Sequence, residues 1–168
     1  DVLILGDCEV YENISTVTMW ENYGISSYIR GSAEQLIWQS YYLLEDTLKY
    51  EKPQVVILNV LAMTESDAKN EAYNRMTLDG MKLSKYKIAS IRESMTEEEN
   101  MASYIFPLLR YHSRWSELSS EDFRYMWKTP SVTTNGYLMQ KGVRPVKTIP
   151  KAAPLANYTF SSRNMEYL

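Results

Sequence analysis

The chain has 168 residues, of which 45% are hydrophobic, 23% charged and 12% aromatic, with a net charge of −3. That length suits one domain, which buries about 70% of the surface its unfolded chain exposes; the eighteen basic residues form no stripe or block, which excludes an electrostatic footprint for nucleic acid. One cysteine and one histidine allow neither an internal disulfide nor a structural zinc site, and no apolar run reaches the roughly 20 residues of a membrane span.

"VLILG" (2–6) is a short continuous apolar run ending in glycine, the pattern of a strand buried on both faces. A helix is predicted next over "NISTVTMWENYG", with Ser15 as N-cap and Gly24 as its stop, followed by a second strand at "ISSYI" (25–29). Ser32 and Gln35 form a capping-box pattern ahead of Ile37, Tyr41, Leu44 and Leu48, which recur at helical spacing until Pro53. "QVVILNV" (54–60) reads as a third buried strand. Strand, helix, strand, helix, strand within sixty residues is the signature of right-handed crossovers and a parallel sheet.

Beyond Met63 the periodicity turns helical, in "SDAKNEAYNRM", "SKYKIASIRESM", "TEEENMASYIFPLL" with Thr96 and Glu99 as a capping box, and "SSEDFRYMW". "NGYLMQKGVRPV" (135–146) carries turn signals of a hairpin or extended flap, and the Pro-rich 144–154 reads as a connector. The chain starts on Asp1 without Met and stops within "SSRNMEYL", a Ser N-cap with the first turns of a helix. The expectation is therefore a piece of a longer protein, in which a signal, an anchor and at least one further strand lie outside these residues.

In an open parallel sheet, ligands sit beyond the carboxyl ends of the strands, where strand order reverses. Three such ends are visible: "GDCE", "RGSAEQ" and "LNVLAMTE". If the first strand lies between the other two, all three turns meet at one crevice with Cys8 at its centre.

"ILGDCEVY" resembles the nucleophile block of the SGNH/GDSL hydrolase superfamily, in which Gly-Asp-Ser-like residues follow the first strand; Cys8 stands where the attacking serine is usual. "YIRGSAEQ" is similar to the second block, whose glycine, here Gly31, lends a backbone N–H to an oxyanion hole. "PQVVILNV" resembles the third-block strand, with Asn59 some residues earlier than the family's Gly-x-Asn-Asp. "LGDCEVYENI", "KPQVVILNVLAM" and "FPLLRYHSRWSEL" together look like a Gram-positive branch of SGNH-like proteins, distantly related to those associated with O-acyl transfer in the cell envelope. The family's Asp-x-x-His block has no counterpart after Val146.

A thiolate is a strong nucleophile, and amides pointing out of tight turns lower a thiol's pKa and stabilise an oxyanion. Cys8 is therefore read either as that nucleophile or as a small packed residue beside a turn. Asp7 and Glu9 flank it, and two carboxylates that close oppose thiolate formation unless they point away. His112 and Arg114, in "RYHSRW", are either a base and substrate contacts or members of a structural corner. Tyr11, Trp20, Trp38, Tyr41 and Tyr42 could floor a sugar site; Trp38 and Tyr41 read as core.

The resulting expectation is one α/β domain over residues 1–168, a three-layer sandwich on a short parallel sheet of the flavodoxin-like SGNH hydrolase kind, with a helical insertion at about 64–128. The resemblance implies an esterase or O-acyltransferase acting on acyl groups of a cell-envelope glycan, catalysed by Cys8 with Gly31, Asn59, Asp7, His112 and Arg114 around it. The alternative is a non-catalytic relative that binds carbohydrate or a partner protein. Neither metal nor cofactor is implied, the substrate is an acylated carbohydrate or small ester, and the location is the extracellular face of the envelope with anchoring through segments outside this chain.

Overall fold

Three parallel strands form the centre of the computed structural model, which describes residues 1–65, 67–127, 134–139 and 160–168. β1 (Val2–Gly6) lies between β2 (Ser27–Gly31) and β3 (Val55–Leu58), giving the order β2-β1-β3. The register places Ile4 between Ile29 and Ile57, and pairs Gly6 with Gly31.

The local signals explain the first helices. Asp7 accepts the Glu9 N–H at 3.0 Å and starts α1 (Cys8–Asn13), because a carboxylate at the N-cap satisfies a backbone donor that the helix itself cannot. Ser15 accepts the Thr18 N–H at 3.1 Å to start α2 (Thr16–Tyr23), and Gly24, at φ +64°, ends it in the left-handed region glycine enters without strain.

α3 (Ile37–Thr47) is capped differently from the sequence expectation. Gln39 Oε1 accepts the Leu36 N–H at 3.1 Å, whereas Ser32 and Gln35 are drawn inward, Gln35 Nε2 donating to Arg30 O and Ser40 Oγ. Alternate residues of a strand face opposite sides, so Ile4 and Ile29 pack with Val10 of α1 on one face. On the other, Leu3 and Leu5 meet Leu43 of α3 together with Leu78, Ile91 and Tyr104 from the helices that follow. Helices thus pack on both faces of β1, an α/β arrangement around a parallel sheet.

The second strand is displaced by two residues from 25–29, because Gly24 and the turn after it set a later start. The third is short, and its apolar residues are not buried as expected: Val55, Val56 and Ile57 are 51%, 40% and 38% exposed. β3 is an edge strand among the described residues.

Residues 71–127 hold helices joined by short turns. α4 (Glu71–Leu78) starts at an Asn70 cap, and α5 (Lys85–Ser94) at Ser84. The predicted helix over 96–109 divides into α6 (Met101–Ile105) and α7 (Pro107–Tyr111), because a residue preceding proline, here Phe106 at φ −117° and ψ 83°, is pushed out of the helical region. A 3-10 turn (His112–Glu117) and α8 (Ser120–Trp127) complete this part. Thr134–Met139 runs beside β2, where Ile29 N–H donates to Asn135 O and Leu138 N–H to Tyr11 O, both at 2.9 Å. The remainder of the flap and the Pro-rich 144–154 lie outside the described residues. The last helix is α9 (Ser162–Met165).

Candidate functional site

The carboxyl ends of all three strands are cross-linked, and Cys8 stands at the central one. It is the first residue of α1, half-buried and unpaired. Asn59, the residue after β3, donates Nδ2–H to Asp7 Oδ1 at 2.9 Å while its own Oδ1 accepts Leu61 N–H at 2.8 Å, starting a 3-10 helix (Val60–Thr64). One amide side chain thereby fixes both the turn before Cys8 and the turn after β3. From β2, the Ser32 N–H donates to Gly6 O at 3.3 Å. Farther out, Lys69 Nζ lies 3.0 Å from Glu34 and 2.7 Å from Glu65, joining the loops after β2 and β3. Glu34 holds φ +56° there, a conformation that costs a non-glycine residue energy and concentrates at functional sites.

The glycines make this approach possible. A Cβ on Gly6 would stand 2.5 Å from the Asn59 Cβ, so any side chain at position 6 would push the Asn59 turn away. A Cβ on Gly31 would meet Val10 Cγ2 at 2.7 Å and Gly6 O at 2.9 Å. Gly31 is thus required by packing between α1 and β2. Its N–H takes the opposite direction from the oxyanion-donor expectation. Alternate backbone N–H groups of a strand point to opposite edges, so the bonds Ile29 N–H to Asn135 O and Ser32 N–H to Gly6 O turn the Gly31 N–H to the outer edge of β2.

The electrostatics oppose ionisation of Cys8. Burial pushes the thiol up, and the charges of Asp7, Glu12 and Glu9 push it further, against one lowering influence, its own backbone N–H. Glu9 points partly away, since its Oε2 accepts Asn13 Nδ2–H at 2.7 Å.

His112 and Arg114 are placed elsewhere. His112 Nδ1 bonds Leu109 O at 2.8 Å within its own turn, and Arg114 pairs with Asp122 at 2.8 Å. Their segment is tied to α4 through Arg110 and Glu71, 3.2 Å apart, and no hydrogen bond among the described residues joins it to the Cys8 turn. Both residues are members of a structural corner in this arrangement.

The aromatic set also divides. Trp38 is fully buried as expected, whereas Tyr41 is 37% exposed and packs edge-on against Tyr42 and Tyr167. Tyr11 belongs to the core on the α1 side, and Trp20 is exposed on α2. A cavity of about 550 Å³ lies at the amino end of the sheet, lined by Tyr28, Arg30, Thr47 and Tyr50 and not by Cys8, Asp7 or Asn59. No group of three or more metal-ligating side chains forms among the described residues. Within the same residues, no helix is long and apolar enough to cross a membrane.

Lys69, Glu34 and Asn164 were not singled out by sequence reasoning; Asn164 Nδ2 bonds Met63 O and Glu65 O at 2.7 and 2.9 Å. Their only sequence signal is position, in or facing the loops that follow the strands. Comparison with protein-family models, curated proteins and solved structures finds no match to the chain.

Proposed function

We propose that the chain carries an SGNH/GDSL-like esterase or O-acyltransferase domain acting on acyl groups of a cell-envelope glycan, with Cys8 as nucleophile, on the extracellular face of the envelope and anchored through segments outside these residues. The observation that carries this reading is the hydrogen bond from Asn59 to Asp7, which holds a half-buried thiol at the carboxyl end of the central strand. That is where a parallel sheet with strand one in the middle presents its ligand crevice. The superfamily's nucleophile occupies the same place in its own fold, and "GDCE" supplies the matching residues.

In the reaction, the Cys8 sulfur attacks the acyl carbonyl, the bond to the glycan oxygen breaks, and that oxygen takes the proton the thiol gave up. Water or a second hydroxyl then attacks the thioester and the C–S bond breaks. The leaving thiolate takes up the proton that the attacking water or hydroxyl loses. The resemblance assigns the base to an Asp-x-x-His block that these residues do not contain, and the raised thiol pKa makes such a base necessary.

The test is hydrolysis of p-nitrophenyl acetate by the protein as its gene encodes it. Cys8→Ala is expected to abolish turnover, and Cys8→Ser to retain some. Turnover that survives Cys8→Ala would remove Cys8 from the mechanism.

A second reading, a non-catalytic module that binds carbohydrate or a partner protein, is favoured by the three carboxylates that raise the Cys8 thiol and by the outward Gly31 N–H. Under it, iodoacetamide labels Cys8 more slowly than a model thiol, and Cys8→Ala leaves binding to an acylated glycan unchanged.

A further inference from the structure

The 3-10 helix after β3 is held at both ends by asparagine side chains, its own cap Asn59 and the distant Asn164. At its start, Asn59 caps Leu61 and reaches across to Asp7. At its finish, Asn164 donates both amide hydrogens, to Met63 O at 2.7 Å and Glu65 O at 2.9 Å. Asn164 is wholly buried, and its Oδ1 has no partner among the described residues. A buried acceptor left unpaired is a cost to folding, and sites that break local rules in this way are enriched in function.

α9, which carries Asn164, is itself well anchored. Arg163 stacks 4.0 Å over the Trp38 ring and bonds Glu93 O and Oε2 at 2.9 Å, and Tyr167 packs on Tyr41. Asn164 therefore extends a fixed point on α3 and α5 to the loop at the carboxyl edge of the sheet.

We infer that Asn164 is a positioning residue for the Cys8 turn: it fixes the 3-10 helix, whose cap Asn59 fixes Asp7, which in turn caps the first turn of α1. The inference rests on the reading of that turn as the reactive site, and it adds the element that sets its geometry. Asp7 Oδ1 receives both Asn59 Nδ2–H and Glu9 N–H, so release of the loop is felt at the backbone one residue beyond Cys8.

The experiment compares Asn164→Leu, which keeps the volume and removes both donors, with Asn59→Ala and the double variant. It reads hydrogen exchange at the Leu61 and Glu9 amides by NMR, and the rate of Cys8 alkylation by iodoacetamide. Each single variant is expected to speed exchange at Glu9 by about fivefold or more, the equivalent of one net hydrogen bond. The double variant should add nothing to Asn59→Ala, because both act through the same bond. Cys8 alkylation should accelerate in parallel. If Asn164→Leu does not fold, Arg163→Ala, which loosens α9 while leaving Asn164 in place, should give the same pattern at smaller size.

Exchange at Glu9 that stays unchanged, or effects that add in the double variant, would overturn the inference and leave Asn164 as a packing residue. These readouts need no turnover. Failure of the ester assay with coupled exchange intact would remove the proposed activity alone, whereas turnover through Cys8 with uncoupled exchange would remove the Asn164 role alone.

Discussion

Val10 and Gly31 are in contact so close that a methyl group at position 31 would stand 2.7 Å from Val10 Cγ2. Gly31→Ala is accordingly expected to destabilise the fold by about 1–3 kcal/mol, the usual cost of overpacking. Thermal unfolding checks it, and a second measurement identifies the cause. In a Val10→Ala background the penalty should shrink, because the methyl group gains space, although Gly6 O at 2.9 Å still crowds it.

The Cys8 thiol has a defined pH behaviour. Since burial and then Asp7, Glu12 and Glu9 raise its pKa, the alkylation rate should climb with a midpoint above that of an ordinary thiol. Glu12→Gln removes one negative charge, favours the thiolate and should move the midpoint down. The same shift links to stability. A thiol whose folded pKa is raised stabilises the fold fully below its unfolded pKa, and that contribution is lost as pH rises through the folded pKa. Cys8→Ala should flatten this alkaline part of the stability profile, as read by urea unfolding.

Gln39 sits at the hub of a buried polar cluster. Its Nε2 donates to Asn74 Oδ1 at 3.1 Å and Ser94 Oγ at 3.0 Å, and its Oε1 accepts the Leu36 and Thr77 donors. Gln39→Leu takes the partner from the Leu36 N–H and Asn74 Oδ1, while Ser94 Oγ keeps Trp38 Nε1 and Thr77 keeps Ser32, and the expected loss is about 2–4 kcal/mol, more than one net hydrogen bond. Chemical denaturation should detect it.

The exposed face of β3 gives an association prediction. Val55 is 51% exposed on an edge strand of the described sheet, and apolar edges pair with other chains whereas charged ones do not. Val55→Lys should lower concentration-dependent association of this chain in analytical ultracentrifugation while changing its stability by less than about 0.5 kcal/mol.

In the first sixty residues the order of the three strands with α2 and α3 between them was legible because continuous apolar runs and capping residues act locally, whereas α1 and the start of β2 were not. "VLILG" became β1 with the expected bounds, and Ser15 and Gly24 bound α2 as expected. Reading failed where a competing partner lay far along the chain. Ser32 and Gln35 match a capping box, but Thr77, brought in by α4, takes the Ser32 hydroxyl, and Gln39 caps α3 instead. The apolar run of β3 correctly implied a strand; burial depends on what covers it, which periodicity does not encode. At the site, Cys8 and the end of β1 could be found from sequence. The bond from Asn59 to Asp7 spans 52 positions and follows only from strand order.

The two borders of the sheet are unlike. Asn135 O occupies the Ile29 N–H, and Asn135 Nδ2 bonds Ser27 O at 3.2 Å, so a loop of the same chain already satisfies the centre of the β2 border. Among the described residues β3 has no neighbour on its outer side, whereas on the β2 border the Gly31 N–H is the group still turned outward. Two molecules joining there around a two-fold axis would pair one β3 border with the other. The seam of such a pair would run beside the Asn59 turn.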